Sequence, residues 1–509
     1  MAPSPLASNT MVAGLLALLL FLAASSFFLF RRRSFRVGKK PKLPPGPFKF
    51  PVVGNLPQLI SLSPRSLRAL SRRHGPLMHL QVGRSVVVVA SSAETAKEIM
   101  KTHDLVFASR PRLTAAKHLL YGCQDVIFGP YGEHWRQVRR VCVLHLLSAR
   151  RVQSYMPVRV DEVASFVGKI ARQSPLGEPV DLSATFREFM SGVVSRVALG
   201  RKYQDRWQVI DRVAKLVGEF FVEDFFPWLA WVSRATGKHD RLRRCFTELD
   251  GFLDEVIKDH AERLHRPGRG DVDEDLVDVL LALQRDGDAK IFLTRDCIKA
   301  IVLDMFGAGT ETSGVVLEWA MSELVRNPTI MKKAQDEVRA IVRTKPILTE
   351  DDLEHTEYLK AVIKETMRLH PPVPLLLPRE SMSEAEIAGF HIPAGTRVLV
   401  NVWAMGRDPQ NWEAPEEFMP DRFLNESSVD YTGHDFHYLP FGAGRRICPG
   451  IAFAASSMEL ILANLLHRFD WRLPEGKSLE DLDMLEATGG AAAPRKTSLL
   501  LAAFPKDVD

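Results

Sequence analysis

Phe441-Gly-Ala-Gly-Arg-Arg-Ile-Cys-Pro-Gly450 is a run in which three glycines and a proline crowd a single cysteine, Cys448. Glycine permits left-handed backbone and close approach, and proline interrupts regular pairing, so we expect a tight loop that holds one sulfur rigidly. The thiolate is the metal-binding form of cysteine, and nearby N–H groups and the Arg446 cation are expected to lower its pKa. No second cysteine follows at CxxC spacing, which argues against zinc or iron–sulfur sites. One thiolate in a stiff loop suits haem, whose other iron ligands come from the cofactor.

The composition is that of a globular protein. The 509 residues are 46% hydrophobic and 25% charged, which allows a sizeable core. The five cysteines are scattered and odd in number, so we expect reduced thiols in a domain that faces the cytosol. One large helical domain fits the pattern better than two, because the only polar loop that resembles a linker, residues 265–274, falls inside the helical body.

An apolar segment lies near the N-terminus. Residues 11–30 are uncharged and mostly apolar, and a helix of this length spans roughly 30 Å, the thickness of a bilayer core. Residues 31–42 follow with seven basic side chains and no acidic one. A cleaved signal peptide would have its basic cluster before the apolar run, so we predict an uncleaved signal anchor with the remainder in the cytosol. This local flank accounts for the net charge of +5 and is no nucleic-acid surface.

A proline-rich segment, Pro44-Pro-Gly-Pro47, follows the basic flank. Proline fixes φ and favours extended backbone, so this segment should act as a stiff spacer. We therefore divide the chain into a transmembrane anchor (residues 1–30), a basic flank with a proline-rich hinge (31–55) and a catalytic domain (56–509).

The hydrophobic periodicity predicts a mainly α fold (α+β), with one large helical domain and small β-sheets. Strands are predicted within residues 77–90 and 390–401, where β-branched residues and turns alternate. The predicted helices cover residues 132–146, 161–172, 246–264, 296–326, 331–342 and 354–369.

The long apolar helix carries the block Ala308-Gly-Thr-Glu-Thr-Ser313. Glycine and hydroxyl residues are poor choices for a buried helix interior, which predicts a local opening that leaves room for O₂ and water. An acid beside a hydroxyl can relay protons through water, so Glu311 and Thr312 are the candidate catalytic residues.

Two further pairs fall on helix faces. Glu365 and Arg368 are three apart and can pair, with Arg422 as a third polar partner. Trp135 and Arg139 are four apart and therefore share one face.

These motifs together resemble those of a known family. The spacing Phe-x-x-Gly-x-Arg-x-Cys-x-Gly is similar to the haem-binding loop of cytochromes P-450 at Phe441, Gly444, Arg446, Cys448 and Gly450. The block at 308–313 resembles the family's oxygen-binding helix, and Glu365, Arg368 and Arg422 resemble its structural Glu-x-x-Arg and Pro-Glu-Arg-Phe elements, with Asp421 in place of the usual glutamate. By these motifs the chain is identified as a member of the plant A-type cytochromes P-450, clan seventy-one, over about residues 40–505.

The resemblance implies a haem-thiolate monooxygenase in the endoplasmic reticulum membrane. It implies haem b with Cys448 as the iron ligand, and electrons from NADPH through NADPH-cytochrome P-450 reductase. Protons would pass through Glu311 and Thr312 to support hydroxylation of a hydrophobic small molecule. The residues implied around the haem are Trp135, Arg139, Arg379, Phe441, Arg446 and Gly450.

Two alternatives share this fold. Some members of the family isomerise or dehydrate oxygenated lipids without O₂ or reductase, and they typically lack the acid–alcohol pair that this chain has. A non-catalytic haem-binding protein would also keep Cys448 but needs no proton relay. NADPH-dependent oxidation of a substrate separates these alternatives.

The substrate is expected to be apolar. The predicted pocket walls are Met305, Phe306, Ala308, Val373, Leu375, Leu376, Leu377 and residues 490–493, all apolar or small. Terpenoids, indoles, oximes and phenolics all serve the resembling family, and a terpenoid is slightly favoured. An aromatic-rich segment at residues 220–231 is predicted to pack in the core or to dip into the membrane.

Overall fold

The computed structural model describes residues 41–59, 63–173, 178–203, 207–264, 274–286, 293–341, 345–424, 429–487 and 490–506. The predicted anchor at residues 11–30 and most of the basic flank therefore lie outside the described residues. The helices are α1 Pro64–His74, α2 Ala93–Lys97, α3 Thr114–Leu119, α4 Glu133–Val141, α5 Ala149–Ser154, α6 Met156–Gln173, α7 Leu182–Leu199, α8 Trp207–Val217, α9 Ala230–Ala235, α10 Lys238–Leu264, α11 Leu276–Asp286, α12 Arg295–Arg326, α13 Pro328–Ile341, α14 Glu357–Leu369, α15 Val402–Met405 and α16 Ile451–Arg468.

Short strands form three small sheets in the described chain. They are β1 Leu77–Val82, β2 Ser85–Ala90, β3 Val180–Asp181, β4 Arg379–Glu380, β5 Ala385–Ile387, β6 Phe390–Ile392, β7 Arg397–Val400, β8 Phe469–Arg472 and β9 Leu500–Pro505. The sheet orders are β1-β2-β7-β4, β3-β9-β8 and β5-β6. Both predicted strand regions are confirmed. Residues 77–90 form a hairpin that turns at Gly83 (φ 53°), and residues 390–401 divide into β6 and β7.

Helix α12 runs through the centre of the fold. The hydroxyl of Thr294 caps it by accepting from the Cys297 N–H at 3.0 Å, and nearly every turn is buried. Among the described helices it alone is long and apolar enough to pass as a membrane span, yet 67% of that apolar window is buried inside the protein. It is therefore the core helix, with α7 packed along it.

The other helix predictions differ mainly at their ends. The segment predicted at 132–146 is α4 followed by a π-helical turn, Cys142–Leu146. Helix α13 begins earlier than predicted because Pro328 occupies its first turn, where a missing N–H costs nothing, and residue 342 is outside the described chain. Helices α7 and α16 were not predicted, because both are apolar around most of their circumference and show little 3.6-residue periodicity.

A buried ion cluster ties α14 to the segment before the cysteine loop. The side chains of Glu365 and Arg368 are fully buried and form a bidentate pair, with Nε to Oε2 at 2.7 Å and Nη2 to Oε1 at 2.8 Å. Arg422 adds a third partner, Nε to Glu365 Oε1 at 3.1 Å, as the sequence predicts. Arg368 also donates to the carbonyls of Gly406, Pro415 and Glu417. Every charge in the cluster therefore has a partner, which a buried ion pair requires.

Candidate active site

The cysteine loop has the tight geometry that its glycines predict. Gly442 and Gly444 have φ of 71° and 66°, and a Cβ on Gly444 would lie 2.3 Å from the Met100 carbonyl oxygen. The Cys448 N–H donates to the Phe441 carbonyl at 3.0 Å, which closes the loop. The Gly450 N–H approaches the sulfur at 3.4 Å, immediately before α16 begins. The sulfur is thus fixed beside a helix N-terminus.

The electrostatics of the sulfur differ from the sequence expectation. Burial raises the pKa of the Cys448 thiol, while the Gly450 N–H and the Arg139 guanidinium act in the opposite direction. The cation that acts on the sulfur is Arg139 and not Arg446, whose three donor nitrogens point to backbone carbonyls on the far side of the loop. Arg139 is held next to the loop by its bond from Nη2 to the Ile447 carbonyl at 2.6 Å.

Cys448 and Thr312 line one central cavity. The floor is the cysteine loop, including Phe441 and Gly450, and one wall is the face of α12 that carries Ala308 and Thr312. The remaining wall is mostly aliphatic, with few polar groups. The arrangement can hold a flat ligand on the sulfur and present its opposite face to α12.

Helix α12 is continuous through Ala308–Ser313, so the predicted local opening is wrong. The reason is that the Thr312 hydroxyl donates back to the Ala308 carbonyl at 2.6 Å, within the helix. Room on the cavity side comes instead from Ala308 and Gly309, which carry little or no side chain. The Ser313 hydroxyl also lines the cavity, and it is buried with no partner among the described residues. A polar ligand or water would satisfy it.

Glu311 is not among the residues that line the central cavity. Its electrostatic neighbours are Arg187 on α7 and Asp211 and Lys215 on α8. Surrounding protein atoms raise the pKa of Glu311 although its side chain keeps solvent access, and Asp211 adds to the rise. Glu311 therefore lies next to Thr312 in sequence but on a different side of the helix.

Four arginines line one end of the cavity: Arg110, Arg139, Arg379 and Arg446. Burial lowers the pKa of each of them, to about 10 for Arg379 and about 9 for Arg446. Among the described residues the hydrogen bonds of Arg110, Arg139 and Arg446 all go to backbone carbonyls. Arg379 has one distant carboxylate, Asp104 Oδ1 at 3.7 Å. Asp125 also acts on Arg110 and Arg446, but the four buried cations outnumber these carboxyl groups, which suits a ligand that brings its own carboxylates.

Trp135 lies beneath this arginine group. Its indole N–H donates to the Val126 carbonyl at 2.9 Å, and the Arg446 guanidinium lies 4.0 Å from its ring centroid. Trp135 and Arg139 both face the central cavity, as their spacing predicts. The donor set of one thiolate, four arginines and an apolar wall fits a haem with two propionates.

Five of the predicted pocket residues line the central cavity, whereas two other residues and one segment do not. The confirmed ones are Met305, Ala308, Val373, Leu376 and Leu377. Phe306 lies on the other side of α12 and lines a second cavity, and Leu375 packs against the β1–β2 hairpin. Residues 490–493 do not line the central cavity, and Ala493 bonds to the Pro372 carbonyl and to the Trp319 indole.

The sequence interpretation missed three polar residues near the cavity. Arg110 and Asp304 line it, and Asp125 contacts Asp304 from the loop before α4. The signal for Asp304 was present, since it is the only acid within the apolar run 297–310 of α12. Arg110 and Asp125 carry no such signal, because their neighbours in sequence are unremarkable loop residues.

Comparisons with known proteins agree with this site. The family model described as Cytochrome P450 matches residues 44–501. The chain is 51% identical to Cytochrome P450 71A1 of Persea americana, over 86% of this chain and 88% of that one. It is 45% identical to premnaspirodiene oxygenase of Hyoscyamus muticus, over 96% and 97% of the two chains.

Solved structures show the same fold. A zebra fish cytochrome P450 with abiraterone superposes with a TM-score of 0.71 at 26% identity, covering 89% of this chain and all (100%) of that chain. A zebra fish cytochrome P450 with progesterone gives a TM-score of 0.72 at 26% identity, covering 88% and 99%.

Proposed function

The chain belongs to the cytochrome P450 family, within plant clan seventy-one, and we propose that it hydroxylates a hydrophobic small molecule at the endoplasmic reticulum. The family is one of haem-thiolate monooxygenases, so the enzyme is an oxidoreductase. The overall reaction consumes substrate, O₂, NADPH and a proton, and it yields the alcohol, water and NADP⁺. The observation that carries the proposal is that Cys448, Thr312 and the four arginines line one cavity.

We assign haem b to the central cavity. Cys448 would bind the haem iron, Phe441 and Gly450 would shape the loop around it, and Arg139, Arg379 and Arg446 with Trp135 would hold the propionates. When bound, the haem supplies reductive activation of O₂, favoured by its thiolate ligand. The apolar wall of the cavity excludes bulk water and orients the substrate.

Thr312 and Glu311 are assigned to proton delivery. Thr312 lines the cavity, and its hydroxyl can donate a hydrogen bond there when it leaves the Ala308 carbonyl. Glu311 keeps solvent access, and burial raises its pKa, so it takes up a proton from bulk water more readily than an ordinary glutamate does. Because Glu311 does not line the cavity, water must connect it to Thr312.

Thr312→Ala is expected to keep the haem and the fold but to uncouple NADPH use from product. The alanine removes the hydroxyl that holds water and a proton at the cavity, so reducing equivalents escape as hydrogen peroxide. Measuring NADPH consumed, product formed and peroxide released in the reconstituted enzyme should show a several-fold lower product yield per NADPH. Thr312→Ser should restore most of the coupling.

Thr310→Ala is the matched control for this test. Thr310 is buried on the same helix but does not line the cavity, so its loss should leave the coupling close to that of the wild type. Unchanged coupling in Thr312→Ala would remove Thr312 from proton delivery.

The substrate is proposed to be apolar, with a terpenoid favoured over an indole, an oxime or a phenolic. The similarity to an enzyme named premnaspirodiene oxygenase supports this order. A spin-shift titration of the purified enzyme against members of these four classes tests it, followed by NADPH-dependent turnover with reductase. A normal haem-thiolate spectrum without turnover of any binding compound would favour a non-catalytic haem protein.

We propose NADPH-cytochrome P450 reductase as the electron donor. The exposed face of α4 carries Arg136 and Arg140, and Arg139 of the same helix bonds to the cysteine loop. Arg136 is paired with Glu133 on the same helix, which leaves Arg140 as the less engaged cation. An acidic partner docked on this face would approach the haem from the thiolate side.

An exposed aromatic surface supports attachment to a membrane. Trp228 and Trp231 are 54% and 60% exposed, whereas Phe221 and Phe226 in the same segment are buried. Phe48, 74% exposed, directly follows the proline-rich segment, which packs beside the β1–β2 hairpin. The turn of that hairpin contacts Phe225. We propose that this surface lies in the membrane interface beside the anchor at residues 1–30, with 31–55 as the hinge and 56–509 as the catalytic domain.

Brominated lipids should quench the fluorescence of the wild-type enzyme in vesicles, and most of this quenching should be lost in Trp228→Phe/Trp231→Phe. Bromine quenches only within contact range, so the loss reports which indoles touch lipid. Trp412→Phe is the matched control, because Trp412 is buried in the core. Equal quenching of the double variant and the wild type would place this surface in water.

A further inference from the structure

Two carboxyl groups, Asp125 and Asp304, meet in the protein interior beside the central cavity. Asp125 is 0% exposed and Asp304 is 3% exposed, and the two side chains lie within hydrogen-bonding reach of each other. Asp125 Oδ1 is buried and finds no N–H or O–H donor among the described residues. Two carboxylates cannot bond to each other unless one of them carries a proton.

The pair anchors the loop that precedes α4. Asp304 Oδ2, on α12, accepts the N–H groups of Val126 at 2.7 Å and Ile127 at 3.3 Å. Asp125 Oδ2 accepts the N–H of Phe128 at 2.6 Å. Three consecutive backbone donors of the loop are thus bound by two side chains. The loop has no regular structure of its own, so these bonds fix its position on α12.

The same loop supports the arginine end of the cavity. The Val126 carbonyl accepts both the Trp135 indole N–H at 2.9 Å and Arg446 Nη1 at 3.2 Å. Arg446 Nη2 donates to the Gly129 carbonyl at 2.6 Å, and a Cβ on Gly129 would lie 2.3 Å from the Asp125 carbonyl oxygen. The position of the loop therefore determines where Trp135 and Arg446 point.

The charges around the pair do not remove the need for a proton. Burial raises the pKa of Asp125 to about 6 and raises that of Asp304 well above the ordinary range, and the neighbouring Asp125 adds to the rise at Asp304. Arg446 and Arg110 act on Asp125 in the opposite direction, from the cysteine loop and from the segment before α3. The other titratable groups that face the pair are the thiols of Cys123, Cys142 and Cys297.

We propose that Asp125 and Asp304 are positioning residues that share one proton, and that the pair fixes loop 124–129 on α12 and so places Trp135 and Arg446. This inference rests on the proposed haem site only in one respect: the haem is the group for which Trp135 and Arg446 are placed. The positions of the loop and the proton are measurable without turnover, so the failure of one proposal is distinguishable from the failure of the other.

Hydrogen exchange of the full-length protein tests the anchoring. Asp304→Ala leaves the Val126 and Ile127 N–H groups without an acceptor, so exchange in peptides covering 124–129 should speed up on the order of tenfold or more. Asp304→Asn keeps an acceptor oxygen and can donate to Asp125, so it should restore slow exchange. Asp296→Asn, an exposed change on the same helix, is the matched control. Unchanged exchange in Asp304→Ala would overturn the anchoring role.

Stability as a function of pH tests the shared proton. An aspartate in the unfolded chain loses its proton near pH 4, whereas the folded pair keeps one, so stability falls as pH rises. Each retained proton lowers the folding equilibrium constant by about tenfold per pH unit up to the pKa of the folded pair. Asp304→Asn removes this proton, and its urea midpoint should fall less than that of the wild type between pH about 5 and 7. If the urea midpoints of the wild type and Asp304→Asn change in parallel with pH, the shared proton is overturned. Because this test uses Asp304→Asn, it can be carried out even if Asp304→Ala does not fold.

Discussion

Cys448→Ser is expected to abolish the red-shifted carbon monoxide band of the reduced enzyme. The band requires a thiolate on the iron, and a serine hydroxyl does not ionise near neutral pH. The rest of the site stays in place, because the loop is held by backbone bonds such as Cys448 N–H to the Phe441 carbonyl. The difference spectrum of reduced, carbon monoxide-treated protein measures the outcome, and we expect complete loss of the band and of turnover.

Cys245→Ser is the control for this experiment. Cys245 is another buried cysteine, on α10, and it does not line the central cavity. Its replacement should leave the band intact, so a loss confined to position 448 identifies the ligand. Survival of the band in Cys448→Ser would show that another residue is the iron ligand.

Arg368→Ala is expected to destabilise the folded protein by about 3–5 kcal/mol, the cost of stranding a buried charge. Glu365 would lose its bidentate partner, and three backbone carbonyls at Gly406, Pro415 and Glu417 would lose their donor. Because these carbonyls lie in the segment that leads to the cysteine loop, haem content should fall together with stability. Urea unfolding followed by fluorescence, with haem content measured in parallel, checks both effects.

Lys332→Ala provides the comparison on a neighbouring helix. It breaks the exposed pair Lys332–Asp336 on α13, whose Nζ–Oδ2 distance is 3.0 Å, and exposed pairs contribute at most about 1 kcal/mol. The loss of stability in Arg368→Lys should lie between those of Arg368→Ala and Lys332→Ala, since lysine keeps the charge but cannot donate two parallel hydrogen bonds as arginine does. Similar stability for Arg368→Ala and Lys332→Ala would show that the buried cluster is not required for the fold.

The parts of the site that the sequence predicts are those encoded locally. The cysteine loop is recognisable because its glycines and proline lie within ten residues of Cys448. In the structure, Gly442 and Gly444 have the positive φ that such a tight loop requires. Trp135 and Arg139 share a face because of helix geometry alone. Thr312 was singled out by the composition of the block 308–313, and it lines the central cavity.

The parts that the sequence does not predict depend on contacts between distant segments. The carbonyls that hold Arg446, at Ala108 and Gly129, lie 338 and 317 residues away along the chain. Phe306 and Met305 are adjacent and both apolar, and only the packing of α7 against α12 decides which of them faces the central cavity. The expected opening of α12 was wrong for a different reason, since a threonine can satisfy its hydroxyl within a continuous helix.

The composition of α12 has a consequence for biosynthesis. The length and hydropathy of this helix resemble those of a membrane span, so insertion into a bilayer would compete with folding wherever the chain is made at a membrane. Two acids, Asp304 and Glu311, interrupt the apolar stretch, and an aspartate at the centre of an inserted helix costs about 2.5–3.5 kcal/mol on the insertion scale. Asp304, which the folded enzyme keeps beside its cavity, and Glu311 thus also oppose insertion of the central helix into a bilayer.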